Sequence, residues 1–224
     1  VASTTSIPVI YTAISDPLAA KLINEKNVPF QSNVTGLSSQ LPIEPQLDLI
    51  QKIAPNAKTI GYVFSPGEAN SVNVLNQLKK AAPARGLKIL DLAANRPTDV
   101  AMATRSLGGR ADVIYTSLDN NVVSAFEAMA SAANELKIPV IASDEFSVRR
   151  GATAALGVND YDFGRVTGKM VYRVLNHEAV SSVKPQVMND LTLYVSPKHA
   201  QAQGVSLSAD ILKDAINVDN DAKK

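Results

Sequence analysis

Short runs of β-branched and apolar residues alternate along the chain with longer segments in which apolar residues recur every three or four positions. The runs predict seven strands, at residues 7–14, 33–38, 59–64, 88–93, 113–116, 139–143 and 153–158. Helices are predicted between them at 46–53, 71–84, 122–136 and 161–175, and another is predicted to begin at Asp16 and Pro17. Such alternation is typical of βαβ units around a parallel sheet that is buried on both faces.

The C-terminal part follows a looser pattern. It predicts a strand at 187–195, two short helices at 197–203 and 208–216, and a charged tail at 219–224 that frays. Polar and proline residues at 38–45 separate a two-strand opening section from four consecutive βα units. Four such units can form a doubly wound lobe, whereas two strands and one helix bury too little apolar surface to stand alone.

The amino-acid composition excludes several classes of function. The 224 residues are 46% hydrophobic and 19% charged with a net charge of +1, so a buried core is expected and a basic surface for nucleic acid or anionic membranes is not. The absence of cysteine excludes disulfides, thiolate metal sites and cysteine nucleophiles. No dinucleotide-binding, phosphate-loop, serine-hydrolase or zinc-protease motif is present, so the sequence favours binding without a cofactor over catalysis.

Candidate chemistry lies directly after the strands, because ligands of doubly wound sheets bind outside the carboxyl ends of the strands. Four of these segments contain five carboxylates and neither lysine nor arginine: Asp16, Glu68, Asp119, Asp144 and Glu145. A phosphate site would require basic residues. Carboxylates beside helix N-termini suit a zwitterion such as an α-amino acid, although helix capping explains any single one equally well.

Several segments closely resemble a family of ABC-transporter solute-binding proteins that have the type I periplasmic-binding fold and take up aromatic amino acids. The segments are residues 7–17, 33–36, 46–50, 67–71, 119–120, 138–144 and 150–164. The most specific are Glu68-Ala-Asn-Ser71 and Ser15-Asp-Pro17. The resemblance implies an α/β protein with two Rossmann-like lobes, an amino acid clamped between them, and no catalysis.

The resemblance also implies a division of the chain. Crossovers would fall near 37–44, 145–160 and 178–186. One lobe, incomplete, would comprise residues 1–40 and 159–180. The other, complete, would comprise 45–150 and 185–216, and 217–224 would form the frayed tail. Family members carry further residues ahead of Ile7, so the chain is expected to be an N-terminally shortened fragment. Its first lobe is expected to expose a sheet edge and apolar faces, which favours self-association or local disorder. The full-length form would be monomeric.

The resemblance assigns roles to residues. The expected ligand contacts are Ser15, Asp16, Glu68, Asn70, Ser71, Asp119, Asn120 and Asp144. Asn70 and Ser71 would bind the ligand carboxylate, Asp119 and Asp144 its ammonium, with help from Asp16. The partner would be a membrane permease, and the location periplasmic or extracellular at the membrane. Two alternatives remain: a repressor-type sensor domain of the same fold, and an enzyme that uses Asp119 or Asp144 with a metal.

Overall fold

The computed structural model describes residues 4–223, which form two compact units. The first unit runs up to Leu41 and adds Val158–Leu191. The second unit comprises Pro42–Gly157 and the residues from Thr192 onward. Among residues 4–223, no helix combines the length and the apolar character that crossing a bilayer requires.

The second unit is built on a seven-stranded sheet of order β10-β9-β7-β6-β5-β3-β4. The neighbours β10 and β9 are parallel, and so are all neighbours from β7 to β4. Its strands are β3 (Thr59–Phe64), β4 (Lys88–Ala93), β5 (Val113–Tyr115), β6 (Val140–Ala142), β7 (Ala154–Val158), β9 (Leu191–Val195) and β10 (Ile216–Asn217). The central strands are almost uniformly apolar because both faces of the sheet are covered by helices, as expected for a parallel sheet.

Eight helices of the second unit surround this sheet in the described part of the chain: α1 (Ile43–Ile53), α2 (Ala69–Ala81), α3 (Val100–Arg105), α4 (Asn120–Ser124), α5 (Phe126–Leu136), α6 (Glu145–Arg149), α8 (Pro197–Ala202) and α9 (Ala209–Asp214). They bury one apolar cluster on each face of the sheet. One cluster contains Phe126 and Met129, and the other contains Leu47, Ile50 and Leu78. The predicted α/β class is therefore confirmed.

The first unit contains a smaller parallel sheet of order β1-β2-β8. Its elements are β1 (Val9–Ile14), β2 (Val34–Ser38), α7 (Asp160–Leu175) and β8 (Gln186–Val187). Helix α7 packs on the sheet through Phe163 and Met170, which meet Leu37 of β2. Gly36 is required where β2 passes β1, because a Cβ there would lie 2.2 Å from the carbonyl oxygen of Tyr11.

Three predicted elements are wrong in extent. The strand predicted at 187–195 is two strands, because β8 pairs with β2 whereas β9 joins the larger sheet. Residues 185–191 therefore belong to the first unit, and the lobe boundary predicted at 185 is wrong. The helix predicted to begin at Asp16 is only a turn, since Lys21 takes a left-handed conformation with φ of 54°. The helix predicted at 122–136 breaks at Ala125, which separates α4 from α5.

Other differences lie in short elements. Helices α3 and α6 and strand β10 were not predicted, because each has six residues or fewer and lacks a clear apolar period. The tail predicted to fray from 219 is anchored at its first residue. The Asp219 carboxylate accepts hydrogen bonds from the Ser196 hydroxyl at 2.7 Å and from the Lys198 N–H at 3.0 Å. These contacts fix the chain against the N-terminal turn of α8.

Candidate functional site

The strand order of the second unit brings three polar loops to one edge of the sheet. Strands β6, β5 and β3 are neighbours and parallel, so their carboxyl ends lie side by side. The loop after β3 leads into α2, the loop after β5 into α4, and the loop after β6 into α6. Six of the eight predicted site residues lie in these loops or in the helix turns that follow: Glu68, Asn70, Ser71, Asp119, Asn120 and Asp144.

Asp119 joins the first two loops from a buried position, with 1% of its surface exposed. Its carboxylate accepts hydrogen bonds from the Ser65 N–H at 2.6 Å and the Ser65 hydroxyl at 2.7 Å. It also caps α4, accepting from the N–H groups of Asn121 at 3.0 Å and Val122 at 3.1 Å. Oδ1 accepts three of these hydrogen bonds and Oδ2 accepts one, and the buried carboxylate is bonded to the protein on both oxygens. We therefore revise the predicted ammonium-binding role of Asp119 to a structural one.

Glu68 and Asn70 form a second connection between the same loops, nearer to the surface. The Glu68 carboxylate accepts from both the N–H and the side-chain amide of Asn120, each at 3.1 Å. The Asn70 amide donates to the carbonyl oxygen of Leu118 at 2.8 Å. Glu68 and Asn70 are half-buried and Asn120 is exposed, so all three side chains retain polar atoms that a ligand could reach.

Tyr62 fixes the base of this network. Its hydroxyl lies 2.7 Å from the Ser117 hydroxyl and 3.3 Å from the Ser71 hydroxyl. Ser71 is fully buried, so its side chain supports Tyr62, and the direct ligand contact predicted for the Ser71 side chain does not fit this position. Burial raises the pKa of the Tyr62 phenol to about 12, although the hydrogen bonds with Ser117 and Ser71 act in the opposite direction.

The titration of Tyr62 can be isolated by a difference measurement. A group whose pKa is higher in the folded than in the unfolded state stabilises the fold at pH values below the unfolded pKa. The stabilisation from Tyr62 is therefore lost as the pH rises from about 10 to about 12. Subtracting the tyrosinate absorbance of Tyr62→Phe from that of the wild-type protein should leave a single titration with its midpoint near pH 12. A midpoint near 10 would show that the ring is not buried as described.

Asp144 follows the neighbouring strand β6. It differs from Asp119 in that its carboxylate keeps accessible hydrogen-bond acceptor sites. Its two oxygens accept from the Ser147 N–H at 2.9 Å and the Ser147 hydroxyl at 2.7 Å, which caps α6. The residue is half-buried, so two of the four lone-pair sites of its carboxylate remain for another donor. Gly157 of β7 permits this arrangement, because a Cβ there would lie 2.3 Å from the Ser143 carbonyl oxygen.

Aromatic residues at the edge divide into two groups. Tyr62 and Tyr115 are buried and stack on each other with ring centroids 6.2 Å apart, so they belong to the core. Phe146, at the start of α6, is 62% exposed beside Asp144, and Leu118 is 42% exposed beside Asp119. These two apolar side chains therefore lie at the surface of the polar edge instead of in the core.

Ser15 and Asp16 lie in the first unit, directly after β1, and both are half-buried. One Asp16 carboxylate oxygen accepts from the Ala19 N–H at 2.8 Å, which closes the turn at Pro17. Their predicted part in ligand binding stays a prediction.

Chemically, the edge offers carboxylates and amides. The nearby arginines of α6 and its C-cap are paired with acids, Arg149 with Glu145 and Arg150 with Glu127, each at 2.6 Å. Across the described residues, no group of three or more histidine, cysteine or acidic side chains is arranged to hold a metal ion. Ser65, Ser117 and Asn121 belong to the same network but are not among the predicted site residues. Each stands directly after a strand or beside a helix cap, the same signal that marks the predicted residues.

Comparisons with known proteins agree with this picture. A model of the family described as "ABC transporter substrate binding protein" matches residues 1–219. A tyrosine-binding protein of Clostridioides difficile is 32% identical over 222 residues, which cover 99% of this chain and 64% of that protein. The chain spans 64% and 66% of the lengths of the two curated relatives it matches.

Solved structures are similar along nearly the whole chain. A conserved domain protein of Vibrio cholerae is 38% identical with a TM-score of 0.88, over 96% of this chain and 73% of that one. An ABC domain of Streptococcus pneumoniae in complex with L-Trp is 30% identical with a TM-score of 0.86, over 96% of this chain and 75% of that one. The predicted type I periplasmic-binding fold and the resemblance on which it rested are confirmed.

Proposed function

The chain belongs to the family of ABC transporter substrate-binding proteins, and we propose that the carboxyl edge of its seven-stranded sheet binds an aromatic α-amino acid for delivery to an ABC permease. The observation that carries the proposal is the convergence of Glu68, Asn70, Asn120 and Asp144 at that edge, without an unpaired basic residue among the loop residues described there. Such a surface attracts an ammonium and repels a phosphate.

Asp144 is the proposed partner of the ligand ammonium. It keeps unused lone pairs on a half-buried carboxylate, whereas the Asp119 carboxylate is buried and already accepts four hydrogen bonds from Ser65, Asn121 and Val122. A charge-assisted hydrogen bond in a partly desolvated loop is about twice as strong as a neutral one. Among the polar residues of the edge, Asp144 is therefore expected to contribute most to the binding affinity.

The proposed site for the ligand carboxylate is the N-terminus of α2, beside Asn70. This helix has 13 residues, no acidic side chain follows its N-cap Glu68 in the first turn, and the Glu68 side chain makes no capping hydrogen bond. N–H groups of the first turn lack partners within the helix and carry the positive end of its dipole, which favours an anion. The Asn70 and Asn120 amides, held in place by Leu118 and Glu68, border this position.

An aromatic side chain is the proposed specificity. Phe146 and Leu118 present apolar surface beside the polar groups, and aromatic rings gain from offset or edge-to-face contact as well as from burial. The names of two similar proteins, one tyrosine-binding and one solved with L-Trp, support the same ligand class. The proposed location is extracytoplasmic, at the membrane that holds the permease.

The two alternative functions have less support. A repressor-type sensor would share the fold, but the family whose model matches the chain is a transporter family. A metal enzyme would need ligands that the described residues do not gather, and the carboxylate of Asp119 is buried and hydrogen-bonded to Ser65. Binding without catalysis is therefore the function proposed here.

Isothermal titration calorimetry with the twenty amino acids tests the proposal on the 224-residue chain. We expect L-Trp, L-Tyr or L-Phe to bind. We expect Leu and Val to bind at least about tenfold more weakly, because they have no aromatic ring and bury less apolar surface. Thermal unfolding in the same series should show matching stabilisation, since a ligand that binds only the folded state raises the transition temperature. Heat from none of the amino acids, with the fold intact by circular dichroism, would refute the proposal.

A further inference from the structure

The amino end of the seven-stranded sheet carries basic residues that the proposed function does not use. Strands β4, β3, β5 and β6 are parallel neighbours, so they begin side by side at this end. Lys88 is the first residue of β4, and Lys58 directly precedes β3. Arg110 and Lys137 each stand three residues before a strand, β5 and β6 respectively. All four residues are exposed, and they are here named the basic end.

Backbone contacts place the members of the basic end next to one another. The Lys88 N–H donates to the carbonyl oxygen of Lys58 at 2.8 Å. The turn that contains Gly108 and Arg110 packs on the end of α5, since a Cβ on Gly108 would lie 2.7 Å from a side-chain carbon of Leu136. Leu136 directly precedes the fourth basic residue. Because neighbouring strands are about 4.8 Å apart, the basic end is a row of cations across the sheet.

The charges of the basic end are not neutralised by carboxylates. Among the described residues, none of the four takes part in an ion pair. The Arg110 guanidinium donates to the Ser106 carbonyl at 3.3 Å, and the Lys137 ammonium donates to the Ala202 carbonyl at 2.9 Å. Attraction to the C-terminal ends of α3 and α8 explains these two cations. It does not explain the two lysines that stand at the starts of β3 and β4.

Acidic residues are scarce in the segments that lead into these four strands, which are residues 54–58, 86–88, 106–112 and 137–139. Their one acid is Asp112, whose carboxylate accepts hydrogen bonds from the N–H groups of Lys58 and Thr59, each at 2.8 Å. Glu135 lies just outside these segments and is paired with Arg105 at 3.0 Å. Four cations and one carboxylate therefore leave a net charge of +3 on the segments.

The two ends of the sheet thus carry opposite charges. The carboxyl edge holds Glu68, Asp119 and Asp144, and its described arginines are paired with acids. Strand β3 has six residues, and at about 3.3 Å per residue it separates the two ends by about 20 Å. Screening in physiological salt acts over about 8 Å, so the acids of one end do not cancel the cations of the other. The net charge of +1 therefore conceals a basic surface that the composition did not predict.

We propose that the basic end binds the anionic phospholipid headgroups of the membrane, an inference that rests on the location given under the proposed function. A row of exposed cations matches a plane of lipid phosphates, whereas a single soluble anion is normally held by donors that converge in a concave site. The attraction acts only within about one Debye length. Binding through the basic end is therefore weak, reversible and sensitive to salt.

The opposite charges also orient the second unit on the bilayer. Anionic headgroups attract the basic end and repel the carboxyl edge, where Glu68 and Asp144 are half-buried and unpaired with a base among the described residues. The candidate ligand site therefore stays about 20 Å from the headgroups and remains open to amino acids in solution. Docking through the basic end concentrates the protein at the membrane without covering the site.

Co-sedimentation with lipid vesicles tests the proposal on the 224-residue chain. We expect the protein to bind vesicles of equal parts phosphatidylglycerol and phosphatidylcholine at about 0.05 M NaCl and to be released at about 0.5 M, where charges are screened over a few ångströms. Vesicles of phosphatidylcholine alone should not bind it. Failure to bind the anionic vesicles at low salt, or equal binding to both kinds of vesicle, would overturn the proposal.

A pair of matched variants locates the interaction on the molecule. Lys58→Gln/Lys88→Gln removes two charges from the basic end and should lower partitioning onto anionic vesicles at least about tenfold. Lys26→Gln/Lys169→Gln removes two exposed lysines from the first unit, so it changes the net charge equally and should keep partitioning within about twofold. Thermal unfolding should be the same for all three proteins, because only exposed side chains change. Equal losses of vesicle binding in the two variants would overturn the assignment to the basic end.

Two further measurements separate lipid docking from the neighbouring explanations. Calorimetry with L-Trp should give the same affinity for Lys58→Gln/Lys88→Gln as for the wild-type protein, because the carboxyl edge lies at the other end of the sheet. The vesicle assay contains no amino acid, so a failure of the proposed ligand and a failure of lipid docking are seen independently. Sodium phosphate should release the protein from vesicles no better than NaCl of equal ionic strength. Stronger release by phosphate would indicate a site for a soluble anion and would overturn lipid docking.

Discussion

Replacing Asp119 with alanine is expected to lower the free energy of unfolding by about 3–4 kcal/mol. The carboxylate caps α4, and loss of a cap costs about 1 kcal/mol. It also satisfies the N–H and hydroxyl of Ser65, which is itself buried, and a buried donor left without a partner costs about 1–3 kcal/mol. Urea unfolding followed by circular dichroism at neutral pH measures the change.

Asp112→Ala is the matched control for this measurement. The Asp112 carboxylate also accepts two backbone N–H bonds, from Lys58 and Thr59 at 2.8 Å each, but it is exposed. Water can replace it, so the expected loss is about 1 kcal/mol. Equal losses for Asp112→Ala and Asp119→Ala would contradict the structural role assigned to buried Asp119.

The location of the polar edge could be predicted from the sequence, but the roles of its residues could not. Glu68, Asp119 and Asp144 stand after predicted strands, and parallel strands bring such positions to one edge. Whether a carboxylate is bonded to protein donors depends on a loop that is distant in the sequence. Ser65, which donates to Asp119, lies 54 residues before it. Asp119 and Asp144 therefore look alike in the sequence, although only Asp144 is exposed enough for a ligand to reach its free acceptor sites.

The fold shows the same division between local and distant information. The strand predicted at 59–64 has the bounds observed for β3, because its apolar run is bounded by polar residues at both ends. The segment 187–195 has the composition of one strand, yet its two ends pair in different sheets. Which sheet a strand joins depends on the tertiary structure, so the local pattern of residues does not predict it.

Asp144→Asn is expected to weaken the binding of an aromatic amino acid by at least about tenfold, the effect of removing a charged partner from the ligand ammonium. Asparagine has nearly the same shape and is a good helix cap, so α6 should keep its first turn and the unfolding free energy should change by about 1 kcal/mol or less. Calorimetric titration with L-Trp on both proteins measures the difference in affinity.

Two controls separate the charge of Asp144 from its other properties. Glu145→Gln alters the neighbouring acid, which is paired with Arg149 at 2.6 Å, and should leave the affinity within about twofold. Indole-3-propionate has the ring and carboxylate of L-Trp but no ammonium, so its affinity should not fall in Asp144→Asn. If both ligands lost affinity equally, the variant would have disturbed the loop instead of removing a charge pair. If neither did, Asp144 would lie outside the site, and the ammonium would have to bind at another carboxylate of this edge, such as the half-buried Glu68.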